Sequence, residues 1–141
     1  HAVMYERLKE SLDLQCNEFA QLQVVEYMKN YDVEGHIRKI QAAYKEKCDL
    51  MLSLMEENFP ASVKFTRPEG GMFIWVELPE GLDADGILDE AVEAGVAYIP
   101  GEFFYANDGA KNTMRLNFTT VSEEQIRKGI VLLADVLKKH A

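Results

Sequence analysis

The spacing of apolar residues along the chain predicts four helices. Apolar side chains recur every three or four residues over about 17–29, 33–58 and 84–94, and again from 123 towards the C-terminal end. This period places them on one face of a helix. The second helix is the longest, and it must end near Asn58 because Pro60 cannot continue it.

Residue types at the ends of these stretches agree with the periodicity. Asp32 and Asp83 are typical N-caps, Ser122 and Gln125 form a capping box, and Gly95 supplies a left-handed C-terminal position. In the long helix we expect a buried apolar side and basic residues that face water. The apolar set is Ile37, Ile40, Tyr44, Met51, Leu54 and Met55, and the basic set is Arg38, Lys39, Lys45 and Lys47.

Four shorter stretches alternate apolar and polar side chains, which predicts β-strands. They lie at about 63–65, 72–78, 96–99 and 113–118. The order of elements is α, α, β, β, α, β, β, α. The simplest sheet places the fourth strand between the second and third, antiparallel to both, with the first strand at an edge. We therefore predict a two-layer α+β sandwich, with a four-stranded, mostly antiparallel sheet and helices on one face.

The second face of this sheet has an unusual composition for a surface. The alternation places Phe73, Trp75, Arg115 and Asn117 there, and no predicted helix remains to cover them. A face of large aromatics and one charge usually meets another domain or a ligand. The alternative is a partly wet surface on which Arg115 pairs with a carboxylate such as Glu77.

Composition narrows the class of protein. The 141 residues are 48% hydrophobic and 28% charged, as in a soluble globular domain, and no apolar stretch is long enough to span a bilayer. The net charge of −9 disfavours binding to nucleic acid or anionic membrane through this segment. Cys16 and Cys48 have no metal-site spacing and are expected to be reduced thiols of a cytoplasmic protein. No Gly-rich phosphate loop or His-Glu-x-x-His motif is present, and we predict no metal site.

Three blocks of sequence carry a resemblance to a known family. They are residues 67–79 (RPEGGMFIWVELP), 95–104 (GVAYIPGEFF) and 112–118 (NTMRLNF), and residues 36–39 (HIRK) resemble the start of the family's long helix. In this order and spacing they are similar to the C-terminal small domain of fold-type-I, class I/II aminotransferases, which depend on pyridoxal 5'-phosphate (PLP). The likeness is to the 2-aminoadipate and aromatic subgroup, and it covers nearly the whole chain.

The resemblance implies a substrate site but no catalytic residue in this segment. Arg115 occupies the place of the arginine that grips the substrate's α-carboxylate, a role that suits a guanidinium fork. Phe73 would line the cleft, although an aromatic on a strand is more often packing. Phe103 and Phe104 lie in a loop similar to the one that covers the substrate. His36, the internal histidine, is expected to be structural.

The resemblance also implies what lies elsewhere in the protein. The family's Schiff-base lysine and the groups that hold PLP belong to an earlier, larger domain, so this segment alone is expected to bind no PLP and to be inactive. Residues 1–31 would lead from that domain, and 32–141 would form the small domain. The implied partners are an amino acid or 2-oxo acid, the large domain and a second copy in a homodimer. The alternatives are the aminotransferase-like sensor domain of a winged-helix transcription regulator and a free-standing binding module.

Overall fold

A computed structural model of the chain describes residues 2–12 and 17–140. The chain divides into two compact units, His1–Lys39 and Ile40–Ala141, and each is described by itself. Cys16 lies outside the described residues, whereas Cys48 is a free, buried thiol whose pKa is raised by burial.

The first unit is helical. It contains α1 (Ala2–Leu12), α2 (Glu18–Asn30) and the beginning of α3 (Val33–Asn58). The predicted helix at 17–29 is confirmed as α2, and the side chain of Asn17 caps it by accepting from the backbone N–H of Ala20 at 3.1 Å. No residue of α2 is buried. Helix α1 is missing from the prediction because no apolar stripe marks it.

The long helix α3 begins and ends where the sequence predicts. Asp32 caps it by accepting from the backbone N–H of Gly35 at 2.8 Å, and its last residue is Asn58. The prediction that Lys47 faces water is wrong. Its ammonium group is partly buried and donates to the carbonyl oxygens of Thr119 at 3.0 Å and Val121 at 2.6 Å. Ile37 is exposed, and the residues of α3 that are buried are Cys48, Met51, Leu52 and Met55.

The second unit contains the predicted sheet. Strands β1 (Lys64–Phe65), β2 (Phe73–Glu77), β3 (Ile99–Pro100) and β4 (Thr113–Asn117) lie in the order β1-β2-β4-β3, with antiparallel neighbours throughout. The predicted strand order is confirmed.

Strand β3 begins three residues later than predicted, at Ile99 rather than Val96. The backbone N–H of Val96 donates to the carbonyl of Ala91 and so closes the preceding helix instead of pairing with a strand. The side chain of Tyr98 turns into the core, where its hydroxyl donates to the carbonyl of Ala84 at 2.6 Å. Burial and the nearby carboxylates of Asp85 and Asp83 raise the pKa of this phenol.

Two further helices join α3 on one face of the sheet. Helix α4 (Ala84–Ala94) starts at the Asp83 cap and ends at Gly95, whose φ of 96° is left-handed. Helix α5 (Glu123–His140) follows the predicted capping box, in which Ser122 and Gln125 exchange hydrogen bonds of 2.8 and 3.2 Å.

Side chains of the three helices pack with the inward side chains of the sheet into one core. The strands contribute Ile74, Val76, Met114 and Leu116, and α5 contributes Ile126, Ile130, Leu133 and Leu137. At one end Glu90 bonds to Lys139 at 2.6 Å and His140 at 2.7 Å, and these two groups lower the pKa of the Glu90 carboxyl. The fold is the predicted two-layer α+β arrangement.

Candidate functional site

The centre of the sheet sets the position of Arg115. In β4, Met114 and Leu116 are buried in the core, so the residue between them must project from the opposite face. Arg115 lies directly across from Trp75 on β2 and from Ile99 on β3. It is therefore flanked by paired strands on both sides, and its backbone is among the best-constrained in the sheet.

Two aromatic rings enclose the guanidinium of Arg115. Its Cζ atom lies 3.9 Å from the ring centroid of Phe73 and 4.0 Å from that of Phe104. A cation close to an aromatic face is stabilised by about 0.5–2 kcal/mol, depending on how far it is desolvated. With both broad faces occupied by rings, the guanidinium retains its edge for hydrogen bonding.

The prediction that nothing covers this face of the sheet is wrong in one region. A short 3-10 helix, Gly101–Phe104, follows β3 and brings Phe104 over the strands. The ring of Trp75 meets Phe104 and Tyr105 edge to face, at centroid distances of 6.0 and 6.1 Å. The aromatic part of this face is thus packed by the chain's own loop.

Arg115 has no anionic partner within the part of the chain that the structure describes. Glu77, the carboxylate considered as a partner from the sequence, instead lies 3.7 Å from Lys64. The Nε atom of Arg115 is buried, and no described acceptor lies within hydrogen-bonding distance of it. A buried donor without an acceptor is costly, and a carboxylate is the group that a guanidinium fork fits best.

The other residues predicted at the site have different surroundings. Phe103 is 66% exposed at the surface, and its neighbour Phe104 is the one that contacts the guanidinium. The side-chain oxygen of Asn117 accepts from the backbone N–H groups of Thr119 at 2.9 Å and Thr120 at 3.1 Å, which builds the turn after β4. His36 lies exposed on α3, in the first unit.

A shallow cavity of about 150 Å³ adjoins Arg115. Sequence reasoning missed that Ala97, Tyr98 and Ile99 line it, together with Phe73, Arg115 and Asn117. The signal that could have found them is the pairing of β3 with β4, which sets Ile99 against Arg115. The described residues include no group of three or more metal-binding side chains, and no described helix meets the length and apolarity of a membrane span.

Comparison with known proteins gives consistent matches over most of the chain. The family model described as "Aminotransferase class I and II" matches residues 11–133. Aromatic-amino-acid aminotransferase 1 of Thermococcus litoralis is 50% identical over 132 residues, covering 94% of this chain and 32% of that protein. The 2-aminoadipate transaminase of Thermus thermophilus is 39% identical over 130 residues, covering 92% and 32%.

Solved structures agree. The Pyrococcus horikoshii kynurenine aminotransferase, in complex with PMP, superposes with a TM-score of 0.86 at 49% identity, covering 96% of this chain and 33% of that one. A weaker match, 27% identical over 140 residues, is to the uncharacterized HTH-type transcriptional regulator YdcR of Escherichia coli. The chain spans about a third of the length of the curated aminotransferases it matches.

Proposed function

Because the chain belongs to the class I and II aminotransferase family, we propose that the full-length protein moves an amino group between an amino acid and a 2-oxo acid, and that this chain anchors the substrate's α-carboxylate. The observation that carries the proposal is the guanidinium of Arg115, held between two rings, with a buried Nε that has no described acceptor. An amino acid and its 2-oxo acid share the α-carboxylate, so one anchor serves both half-reactions.

The surroundings of Arg115 support binding in the plane of the guanidinium. The rings of Phe73 and Phe104 block approach from above and below, so a carboxylate must meet the edge of the fork. The rings also limit the access of water, which strengthens the interaction between opposite charges. We assign Phe73 to the wall of this site and exposed Phe103 to its rim, where it would contact the substrate's side chain.

We propose PLP as the cofactor of the full-length protein, held by residues outside this chain. Bound PLP supplies the electron sink that amino-group transfer requires. The residues of this chain do not fit the role of its covalent lysine. Among the described lysines Lys47 alone is not exposed, and its ammonium group is occupied by the carbonyls of Thr119 and Val121.

The organisation of the full-length protein follows from this assignment. We propose that residues 1–31 lead from a larger domain and that 32–141 form the small domain that closes one side of the substrate cleft. The exposed apolar residues of α2 suit packing against such a domain or a second copy in a homodimer, and they are Phe19, Leu22, Val24, Val25, Tyr27 and Met28. The net charge of −9 argues against nucleic acid or anionic membrane as a partner of this segment.

The chain alone is expected to form no stoichiometric covalent complex with PLP and to show no transaminase activity. The reason is that its described lysines are exposed or already hydrogen-bonded. The measurement is absorbance after mixing and dialysis, followed by borohydride reduction and peptide mapping. Reduction that traps PLP on one lysine of the chain, at one equivalent, would contradict the expectation.

Activity of the full-length protein tests the main proposal. With PLP, an aromatic amino acid or 2-aminoadipate as donor, and 2-oxoglutarate as acceptor, we expect turnover measured as the new 2-oxo acid. The alternative function is the sensor domain of a DNA-binding regulator. It predicts no turnover with any donor, and it also predicts specific DNA binding that responds to PLP or an amino acid. The 50% identity to an aminotransferase, against 27% to a regulator, favours the enzyme.

A further inference from the structure

We infer that Phe104 is a positioning residue for Arg115, and that Gly101 and Trp75 set the place of its ring. The inference rests on the proposed function only for its kinetic consequence, because the contacts themselves hold for any carboxylate ligand. Phe104 would thus act on the substrate through Arg115, rather than by recognising the substrate's side chain.

Phe73 and Phe104 approach Arg115 from different parts of the fold. Phe73 belongs to β2, paired with β4, so its ring is fixed by the sheet itself. Phe104 ends the 3-10 helix, which is not a strand, so its position must be set by other contacts. Removing Phe104 would open one face of the guanidinium, whereas the Phe73 side would remain closed.

Gly101 is the residue that allows the 3-10 helix to approach the sheet. A Cβ atom at this position would lie 2.1 Å from Oγ1 of Thr113 and 2.8 Å from the ring of Trp75. Both neighbours belong to paired strands, so neither can move far. Any larger residue must therefore lift the start of the 3-10 helix and carry Phe104 away from the guanidinium.

Trp75 supports the ring from the side. It meets Phe104 edge to face at 6.0 Å and lies directly across from Arg115 in the sheet. An arginine side chain that is free to rotate loses entropy when it grips a ligand. The guanidinium enclosed by Phe73 and Phe104 has already lost much of that freedom, so less of the binding free energy is spent on ordering it.

The kinetic test compares variants at position 104 in the full-length holoenzyme. Phe104→Leu keeps an apolar side chain of similar size without a ring, and Phe104→Tyr keeps the ring. We expect Phe104→Leu to raise KM about tenfold for both the amino acid and the 2-oxo acid, with kcat changed less than about threefold, and Phe104→Tyr to restore KM. Propionate, which has no amino acid side chain, should lose affinity as a competitive inhibitor by the same factor.

A second measurement reports on the guanidinium without activity. Phenylglyoxal modifies accessible guanidinium groups, and mass spectrometry can follow Arg115 and the exposed Arg127 in one sample. Phe104→Leu and Gly101→Ala should each speed the modification of Arg115 relative to Arg127, and Phe104→Tyr should not. Because both substitutions remove the same ring contact, the effect of the double variant on KM should be smaller than the product of the two single effects.

The outcomes separate this inference from the proposed function. Unchanged KM values and an unchanged rate of Arg115 modification in Phe104→Leu would overturn the positioning role, even if Arg115→Ala abolishes activity. A KM that rises for an aromatic donor but not for 2-oxoglutarate or propionate would also overturn it, because that pattern indicates side-chain recognition. If Arg115→Ala leaves KM unchanged, the carboxylate anchor fails, and the modification rate still decides whether Phe104 shields Arg115.

Discussion

Replacing Arg115 by alanine in the full-length protein is expected to lower kcat/KM by about 3–5 kcal/mol, a loss of more than about 100-fold, mainly through KM. The substitution removes the cation that faces the substrate's carboxylate and leaves that carboxylate in a cleft lined by Phe73 and Phe104. Steady-state kinetics with varied amino acid and with varied 2-oxo acid measures the effect on both half-reactions.

Two matched variants test whether the loss reflects the guanidinium itself. Arg115→Lys retains the charge but not the planar fork that lies between two rings, so we expect it to recover little of the activity. Arg127→Ala removes an arginine from the exposed surface of α5 and should leave kcat/KM unchanged. A wild-type kcat/KM in Arg115→Ala, with the protein folded, would remove Arg115 from the substrate site.

Replacing Phe118 by alanine is expected to destabilise the second unit by about 3–5 kcal/mol, the usual cost of removing a large buried aromatic side chain. Phe118 is 2% exposed and belongs to the core, and its backbone N–H donates to the carbonyl of Met72 at 3.2 Å. Because a domain is stable by only about 5–15 kcal/mol, much of the margin would be lost. Urea unfolding of the chain followed by Trp75 fluorescence, the single tryptophan of the sequence, measures the change.

The matched control for Phe118 is another phenylalanine of the same unit. Phe103 is 66% exposed, so Phe103→Ala should change the free energy of unfolding by less than about 0.5 kcal/mol. Equal effects of the two substitutions would show that the burial described for Phe118 does not stabilise the fold. An altered dependence on urea concentration would indicate a changed unfolded state instead of a lost contact.

The parts of the fold that local sequence determines were predictable. Asp83 and Gly95 mark the two ends of α4 by capping chemistry alone, and the alternation in β4 separates Met114 from Arg115. Strand β3 has two residues, too few for an alternation to be recognised, and Val96 was misassigned because its backbone N–H closes a helix. Helix α1 has exposed apolar residues without a stripe, so nothing in its period indicates a helix.

The candidate site was predictable for the same reason and to the same extent. Arg115 and Phe73 lie on regular strands, where the period of two fixes the face of each residue. Phe104 follows Gly101 in a 3-10 helix with no period to read, so its ring could not be distinguished from that of Phe103. Its place depends on the close approach of Gly101 to Thr113, a contact between residues that only the folded chain brings together.

The strict alternation of β4 limits how sequences of this kind can diverge. An insertion of one residue inside the strand would exchange its two faces, turning Met114 towards the ligand and Arg115 into the core, so the strand tolerates replacements but not changes in length. The preceding connection has no such constraint at Ala106, Asn107 and Asp108, which are exposed and outside any helix or strand. Additions and deletions that reshape the cleft are therefore best made there, in natural variation and in engineering alike.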